Sequence, residues 1–382
     1  MQRYIFKIIF VLVIIMLLVL AFFLFFKKDE EEEVIYLDSI YATASREEEV
    51  FAVGVNNNNE HHYTKAKIAR YNEKQEKVWE KLYNKGYDSE FLDVGIDQKE
   101  IVTIGYVEES KKDYKNNNSK GLLLKYDLDG NLVYEKTYHK IGYNSFSKVV
   151  ITSDGYYVIG TGRKNGREVG ILLKYQRDGK LAWDISFDDG SYCSFSDMVI
   201  YQDYIYVVGN MNASGILLKY NLDGELIAKV ENTDVTDYGF SSICASNQHL
   251  VVSGAKRDSK DPMLIRYNLN LEYVNDTSYD ADYPSIFTKV TLDHNQDLVV
   301  LGSSVEDQVH YSFIGKYRNN LDPVQVVDYH NDTDDYFTDI VFIHDTYLVS
   351  CYSYYSEQGY LSKFLNYSPA LKLLEVSGWK SH

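Results

Sequence analysis

Cysteine and proline are scarce in this sequence, and basic residues are outnumbered by acidic ones. Among 382 residues there are 3 Cys and 4 Pro, and 39 Lys and Arg stand against 56 Asp and Glu, which gives a formal net charge of −17. Three cysteines cannot form the disulfide framework of a small secreted scaffold. A chain this acidic presents no basic field to a phosphate backbone, so the composition argues against nucleic acid as a partner.

Several chemical signatures are also missing. The sequence contains no nucleophile elbow, no spaced cluster of metal ligands and no phosphate-binding glycine loop. It therefore predicts no catalytic residue, no metal site and no cofactor. Aromatic residues, in contrast, make up 15% of the chain, with 36 Tyr, and this excludes disorder. The length allows either one large repetitive domain or two ordinary domains.

Residues 8–26 form an unbroken apolar run close to the N-terminus. At ~1.5 Å per residue a helix of this length spans about 28 Å, which is enough to cross the core of a bilayer. Arg3 and Lys7 precede the run, and a short basic head of this kind is typically retained in the cytoplasm. We therefore expect residues 1–7 to be a cytoplasmic head and residues 8–26 to be a single-pass anchor in the cell membrane. The acidic linker of residues 27–38 and the rest of the chain would then be extracytoplasmic.

Two other interpretations of this segment remain open. The run could be a cleaved signal peptide, but it is longer than a usual signal core, and the nearest small-x-small site, Ala42-Thr43-Ala44, lies far downstream. An uncleaved anchor is therefore favoured. An inverted anchor would instead make the protein a cytoplasmic scaffold.

The remainder of the chain repeats one unit seven times, and two landmarks define the repeat. The first is a basic residue followed by an aromatic one, at intervals of 45–55 residues: Arg70-Tyr71, Lys125-Tyr126, Lys174-Tyr175, Lys219-Tyr220, Arg266-Tyr267, Lys316-Tyr317 and Lys363-Phe364. The second is an apolar landmark residue 14 or 15 positions before a glycine or cysteine: Ile40/Gly54, Phe91/Gly105, Phe146/Gly160, Phe195/Gly209, Phe240/Gly254, Phe287/Gly302 and Phe337/Cys351. Self-similarity at this period is typical of propellers and solenoids.

Each repeat has the pattern of four short strands. In the third repeat the predicted strands are 147–152, 156–162, 170–175 and 181–187, with two Asp-Gly turns. The sequence therefore predicts an all-β, seven-bladed β-propeller over residues 39–378, with four antiparallel strands in each blade. The expected repeats are about 39–83, 84–138, 139–187, 188–232, 233–279, 280–329 and 330–378. A linear solenoid is the alternative, but no polar terminal cap is evident.

A family resemblance is carried by the segment Lys-Tyr-Asp-Leu-Asp-Gly-Asn-Leu-Val-Tyr at residues 125–134. Together with Trp79, Tyr134 and Trp183, which lie eight residues after the aromatic of each pair, it resembles the bacterial pyrroloquinoline-quinone-like propeller repeat. In that family a turn glycine is followed by a docking tryptophan. The resemblance is at the level of the fold, and the large aromatic is kept only in repeats one to three.

Candidate binding residues come from positions that recur near the first strand of each repeat. A tyrosine precedes every landmark residue within four positions, and we selected five of them: Tyr87, Tyr143, Tyr192, Tyr283 and Tyr336. Charged residues often lie two positions after the landmark: Asp93, Lys148, Asp197, Lys289 and Asp339. Length varies mainly between the second and third strands, so we expect long polar loops on the rim that also carries the tyrosines.

Two functions fit this arrangement. The first is a non-enzymatic binding or scaffold module that displays the tyrosine rim to a protein or a glycan. The second is an extracellular carbohydrate-active or quinoprotein-like enzyme, in which carboxylates such as Asp93 and Asp339 act as acid and base at the mouth of the channel. The absence of a recognisable catalytic motif favours the first.

Overall fold

A computed structural model describes residues 37–58, 63–116, 118–329, 333–355 and 359–378. The apolar run of residues 8–26, and with it the predicted anchor, lies outside these described residues. Within them no helix is long and apolar enough to span a membrane.

The described residues form 28 strands arranged in seven sheets of four. The first four blades contain β1 Leu37–Arg46, β2 Glu49–Asn58, β3 Tyr63–Tyr71 and β4 Lys77–Leu82; β5 Asp88–Ile96, β6 Ile101–Glu108, β7 Lys120–Tyr126 and β8 Leu132–Tyr138; β9 Asn144–Thr152, β10 Gly155–Lys164, β11 Arg167–Tyr175 and β12 Leu181–Phe187; and β13 Cys193–Tyr201, β14 Tyr204–Met211, β15 Ser214–Asn221 and β16 Leu226–Asn232. The last three contain β17 Ser242–Ser246, β18 His249–Ala255, β19 Pro262–Asn268 and β20 Tyr273–Ser278; β21 Ser285–Leu292, β22 Leu298–Glu306, β23 Val309–Tyr317 and β24 Pro323–Tyr329; and β25 Asp334–Ile343, β26 Thr346–Tyr355, β27 Gly359–Tyr367 and β28 Leu373–Gly378.

The sheets form a seven-bladed β-propeller, as the sequence predicted. Each blade is an antiparallel meander of four consecutive strands, and the first strands of neighbouring blades contact one another around the ring. The ring closes where blade 1 packs against blade 7. There the backbone N–H of Ile40 donates to Ser362 Oγ at 2.9 Å, and Tyr71 packs edge-on against Phe364. These closing contacts exclude the solenoid.

The spacing of the landmark residue and its glycine is explained by a β-bulge. In six blades the landmark residue is the cross-strand partner of its glycine or cysteine, and the register then skips one residue of the first strand. The bulge pushes a backbone carbonyl towards the second strand. A Cβ at Gly54 or Gly105 would lie 1.9 Å from the carbonyl oxygen of the residue before the landmark. Glycine is therefore required there by close approach of the backbone.

The basic-aromatic pair joins neighbouring blades. The aromatic side chains of the first six pairs are at most 5% exposed. Four of the basic side chains donate to a backbone carbonyl in the third turn of the next blade: Arg70 to Leu128, Lys125 to Arg177, Lys219 to Leu269, and Arg266 to Asn319, at 2.9–3.2 Å. These repeated contacts explain why the pair recurs.

The seventh pair was assigned wrongly from the sequence. In blade 7 the register irregularity that marks the pair lies between Asn366 and Tyr367, and Tyr367 is 1% exposed. The position equivalent to the docking aromatic is therefore Glu375, which is the cross-strand partner of Asn366. Lys363 has a different role, because its ammonium pairs with the buried Asp335 at 2.8 Å. The error arose because Lys363-Phe364 and Asn366-Tyr367 both place an aromatic residue directly after a polar one.

Trp79, Tyr134 and Trp183 each lie against the turn glycine of the following blade. A Cβ added to Gly130 would be 3.0 Å from the Trp79 ring, and a Cβ on Gly179 would be 2.7 Å from the Tyr134 ring. These glycines have φ of +80°, so a side chain is excluded both by conformation and by the docked ring.

The propeller has two faces, which we name by their connections. The upper face carries the connections between second and third strands and the segments that join the blades, whereas the lower face carries the other turns. The expected long upper loops are only partly present. In blades 3 and 6 the extra residues extend the strands, and the turns are 165–166 and 307–308. Blade 2 has a true insertion with the short helix α1, Lys111–Asn116, which the sequence did not predict.

Candidate functional site

The predicted tyrosines lie on the upper face, but they differ in exposure. Tyr192 is 57% exposed and Tyr283 is 43% exposed, and neighbouring Tyr238 is 80% exposed. Tyr87, Tyr143 and Tyr336 are partly buried. The structure therefore separates the set into solvent-facing rings and rings that pack against the protein.

The partly buried tyrosines belong to aromatic contacts. Tyr87 packs against Tyr63 and Tyr114, with ring centroids 4.9 and 5.6 Å apart. Tyr336 stacks on Tyr352, with ring centroids 4.8 Å apart and an interplanar angle of 19°. The side chain of Tyr143 lies 5.8 Å from the guanidinium of Arg163. Such pairs stabilise a partly solvated part of the fold, so these rings have a structural role whether or not they also bind a ligand.

The five charged candidates form a belt on the first strands, below the tyrosines. Lys148 pairs with Asp93, and Lys289 pairs with Asp339, each at 3.1 Å. Asp197 accepts a hydrogen bond from Ser242 Oγ at 2.6 Å.

The second oxygen of Asp93 accepts the backbone N–H of Val149 in the next blade at 2.8 Å. Asp339 accepts the backbone N–H of Thr43 in the same way, also at 2.8 Å. Both carboxylates are thus held by an ammonium and by a neighbouring blade.

The belt is buried and strongly coupled. Burial raises the pKa of the Asp93 carboxyl above its ordinary value, against the opposing charges of Lys148 and Lys289. Burial acts in the same direction on Asp339, but the ammonium groups of Lys289 and Lys148 outweigh it and lower the pKa of that carboxyl. Burial disfavours the charge on Lys289, yet the three aspartates around it raise the pKa of its ammonium. Asp93, Asp339, Lys148 and Lys289 are therefore one coupled network, which Asp197 joins through its charge on Lys289.

A second group of polar side chains lies at the upper end of blade 2 and was not predicted. Asp88 and Glu108 are cross-strand partners, as are Glu90 and Tyr106. Asp88 accepts the backbone N–H of Thr64 at 2.6 Å and the Thr64 hydroxyl at 2.9 Å. Asp88, Glu90 and Glu108 are called the acidic cluster below.

Burial and the charge of Asp88 raise the pKa of Glu90 to about 7. Burial and the charges of Asp88, Asp113 and Glu90 raise the pKa of Glu108 to about 7 as well. Two carboxyls of the acidic cluster therefore titrate near neutral pH.

Tyrosines from blades 1 and 7 adjoin the acidic cluster. Burial and the charge of Glu90 raise the pKa of the Tyr41 phenol. Tyr41 packs edge-on against Tyr352, with centroids 6.4 Å apart, and Tyr352 packs edge-on against Tyr360 at 5.6 Å. Acidic and aromatic side chains of blades 7, 1 and 2 thus meet on one side of the upper face.

A cavity of about 630 Å³ lies on the same face between blades 5 and 6. Tyr238, Arg257, Ile286, Val305 and His310 are among its lining residues. Its volume falls within the range of small-ligand sites in proteins. The Arg257 guanidinium, however, already pairs with Asp237 and donates to the backbone carbonyl of Ala213.

The other residues that could have had a chemical role, Asp127 and the three cysteines, have structural positions. Asp127 Oδ1 accepts the backbone N–H groups of Asp129 at 3.0 Å and Asn131 at 2.8 Å, which is a turn. The three cysteines, Cys193, Cys244 and Cys351, are buried and unbridged. Across the described ranges no group of three or more His, Cys, Asp or Glu side chains is placed to hold a metal ion.

One feature of the sequence could have pointed to the acidic cluster. The residue directly before the landmark is a serine in three repeats, at Ser39, Ser145 and Ser194, but it is Glu90 in the second. The same position is glycine, isoleucine or tyrosine in the last three repeats, so Glu90 is acidic where the other six repeats are not, and it marks a local change in what the blade presents. Glu108 has no such signal, because its proximity depends on the strand pairing.

Comparisons with known proteins support the fold alone. No family model matches the sequence, and no curated protein matches it. The structure is similar to the β-propeller domain of the Trilobed protease from Pyrococcus furiosus, which has an open velcro topology. The TM-score is 0.55 at 11% identity, over 90% of this chain and 98% of that domain.

Two peptidases contain a similar propeller. The prolyl endopeptidase structure gives a TM-score of 0.56 at 12% identity over 91% of this chain. The acylaminoacyl peptidase from Pyrococcus horikoshii gives a TM-score of 0.54 at 11% identity over 92% of this chain. The match covers 51% and 54% of those two proteins, so the chain corresponds to about half of their length.

Proposed function

We propose that this protein is a non-enzymatic binding module, tethered to a membrane, that recognises a protein or a glycan with the upper face of its propeller. The observation that carries the proposal is the exposure of the aromatic side chains on that face. Tyr192, Tyr238 and Tyr283 are 43–80% exposed, whereas the aromatic side chains of the first six basic-aromatic pairs are at most 5% exposed. Exposed tyrosine offers apolar contact and a hydrogen-bonding hydroxyl together, which suits recognition of peptides and sugars.

The belt supports a binding role over catalysis. A glycosidase needs one carboxyl that donates a proton and one that activates water or attacks. In Asp93 and Asp339 one oxygen faces an ammonium and the other accepts a backbone N–H. Each oxygen of these two carboxylates is therefore already engaged by a group of the protein.

The membrane tether is proposed from residues 8–26, whose apolar run and basic head support an extracytoplasmic propeller. The relationship to the pyrroloquinoline-quinone-like repeat is likewise a proposal. It is supported by the docking of Trp79 and Trp183 against the turn glycines of the following blades. Neither proposal implies a bound quinone.

A glycan and peptide array probed with the full chain tests the binding function. We expect ligands whose signal falls several-fold on Tyr192→Ala or Tyr238→Ala, because an aromatic contact contributes about 0.5–1.5 kcal/mol beyond its buried area. The matched control is Tyr273→Ala, since Tyr273 is 61% exposed but begins β20 at the lower face. Ligands that respond equally to all three variants, or an array without ligands, would contradict the proposal.

A further inference from the structure

Glu108 is a buried carboxyl whose potential for hydrogen bonding is not used. It is 6% exposed, and its Oε2 atom has no hydrogen-bond partner among the described residues. A buried carboxylate oxygen without a partner is costly, and such atoms are rare in folded proteins. Burial and the charges of Asp88, Asp113 and Glu90 raise the pKa of the Glu108 carboxyl, so it belongs to a site that is negative on several sides.

Among the described residues, no cation is found in the set of groups that act on Glu90 or Glu108. Lys65 is the basic residue that acts on Asp88, but its ammonium donates to the backbone carbonyls of Gly86 at 2.7 Å and Tyr87 at 3.3 Å. Most of the other carboxylates that are equally buried in the described ranges pair with a lysine, as Asp335 pairs with Lys363 at 2.8 Å, whereas Asp197 bonds to Ser242. The acidic cluster is thus a site where the protein supplies negative charge and leaves the positive charge to be supplied.

The groups that surround the two glutamates come from several elements. Glu90 is faced by Asp88 on its own strand, by Tyr106 on β6 and by Thr64 on β3. From blades 1 and 7, Tyr41 and Tyr352 adjoin it.

Glu108 is faced by Asp88, Glu90 and Asp113 of α1. Tyr143, which precedes β9, adjoins both glutamates, and Glu168 of β11 lies close to Tyr143. The cations beside these groups are Lys65, whose charge acts on Asp88, Lys120, whose charge acts on Asp113, and Arg163, whose guanidinium lies 5.8 Å from the Tyr143 ring. In the part of the chain that the structure describes, none of them is a group that acts on the two glutamates themselves.

Aromatic faces beside carboxylates favour an organic cation. Tyr41, Tyr352 and Tyr360 pack edge-on, and this arrangement leaves ring faces in more than one direction. Ring faces attract ammonium and guanidinium groups, and carboxylates form strong charge-assisted hydrogen bonds with the same groups. Among the described residues the acidic side chains are not grouped to hold a metal ion, and the tyrosine rings beside them suit a cation with an apolar stem.

We propose that the acidic cluster and the adjoining Tyr41, Tyr106 and Tyr352 bind the ammonium or guanidinium group of a lysine or arginine side chain of a protein ligand. This inference rests on the proposed binding function and names the chemistry that the upper face recognises. The ligand would place its charged group beside Glu90 and Glu108 and its methylene stem against the tyrosines. Both glutamates must be ionised, so binding strengthens as the pH rises through neutrality.

The test is an NMR titration of the full chain with three short peptides that differ at one central residue: lysine, arginine or acetyl-lysine. We expect the lysine and arginine peptides to bind at least about fivefold more tightly than the acetyl-lysine peptide, since acetylation removes the charge. Glu90→Gln and Glu108→Gln should each weaken the lysine peptide about fivefold or more at pH 8. The wild-type affinity should fall from pH 8 to pH 6, and this dependence should be reduced in both variants.

The control variant is Glu231→Gln, which removes the same charge from an exposed position on the outer strand of blade 4. Its affinity should equal that of the wild type.

Equal binding of lysine and acetyl-lysine peptides, unchanged affinity in both cluster variants, or no binding of any peptide would overturn the inference. Because both changes keep the side-chain shape, a melting curve of each variant separates lost binding from lost folding. An array ligand that responds to Tyr238→Ala but not to Glu90→Gln would leave the binding function standing and refute only the cation site.

Discussion

The carboxylate of Asp339 in the last blade accepts a hydrogen bond from the backbone N–H of Thr43 in the first blade, at 2.8 Å. The same contact joins Asp93 to Val149 across the seam between blades 2 and 3, and Asp197 to Ile243 across the seam between blades 4 and 5. The seam that closes the ring is therefore built in the same way as two internal seams. A residue at the centre of this seam is a sensitive probe of ring closure.

Replacing Asp339 by alanine should lower the free energy of unfolding by about 3 kcal/mol. The change removes the acceptor of the Thr43 amide and leaves the ammonium of Lys289 without its partner at 3.1 Å. Chemical denaturation followed by circular dichroism measures the loss. Asp328→Ala, at an exposed position of β24, is the control and should change stability by less than about 0.5 kcal/mol. A loss at Asp339 as small as that of the control would show that the seam does not depend on the carboxylate.

Replacing Gly209 by alanine should destabilise the propeller by about 3 kcal/mol, because the new Cβ would lie 2.0 Å from the carbonyl oxygen of Ser194. Cys351→Ala is the matched control. Blade 7 already carries a side chain at the equivalent position, opposite Phe337, so the loss should be about 1 kcal/mol. Equilibrium unfolding of both variants in urea tests the difference, and equal losses would contradict the role assigned to the bulge.

Replacing Trp183 by alanine should cost about 2–3 kcal/mol of stability. The ring packs edge-on against Tyr157 and covers the turn at Gly224 in the next blade. Gln325→Ala changes the equivalent position of blade 6 and serves as the control, since its exposed side chain covers no such turn. If the two variants unfold at the same denaturant concentration, docking by the tryptophan does not stabilise the ring.

The upper-face tyrosines should separate into two groups when each is changed to alanine. Tyr336→Ala should lower the melting temperature, since the ring stacks on Tyr352 and lies 4.8 Å from His310. Tyr192→Ala and Tyr283→Ala should leave it within about 1 °C of the wild type, because both rings are largely solvated. Differential scanning calorimetry decides the matter. A uniform loss across all three would mean that the whole set is architectural.

The acidic cluster should make the protein less stable as the pH rises. The pKa of Glu90 and of Glu108 is raised to about 7 in the folded chain, so the folded state binds protons more tightly than the unfolded state. The contribution of each carboxyl to stability is therefore lost between about pH 5 and pH 8.

The double variant Glu90→Gln/Glu108→Gln should melt at least about 2 °C above the wild type at pH 8 and should lose this advantage at pH 5. Thermal melts at the two pH values provide the measurement. A double variant that is less stable than the wild type at pH 8 would contradict the assigned titration.

The repeat could be predicted from the sequence because its spacing records contacts that every blade must make. In four blades the glycine opposite the landmark residue is required by the carbonyl that the bulge brings close, and the aromatic of the pair is required by the seam, so both recur despite changes elsewhere. Blade 5 departs from the pattern. Its first strand, Ser242–Ser246, begins after Phe240, so the landmark residue of that blade lies outside the sheet.

The acidic cluster could not be predicted in the same way, because it occurs once. Glu90 is acidic at a position where the other six repeats have an uncharged residue, but its meaning depends on Tyr352, which is distant in the chain and interacts with it only because the ring closes. The belt was easier to find, since Asp93, Lys148 and Lys289 occupy one repeated position. What the sequence did not reveal there is that the carboxylates bind the amides of the next blade.

Among the residues that the structure describes, each blade consists of one contiguous segment, and no strand is exchanged between the first blade and the last. An in-frame duplication of a single repeat therefore inserts a complete sheet with every strand paired. A deletion of one repeat likewise removes a whole sheet and exposes no orphan edge. A gene with this architecture can therefore gain or lose one blade in a single genetic step. A propeller whose first and last blades share a strand must in addition keep that shared blade intact.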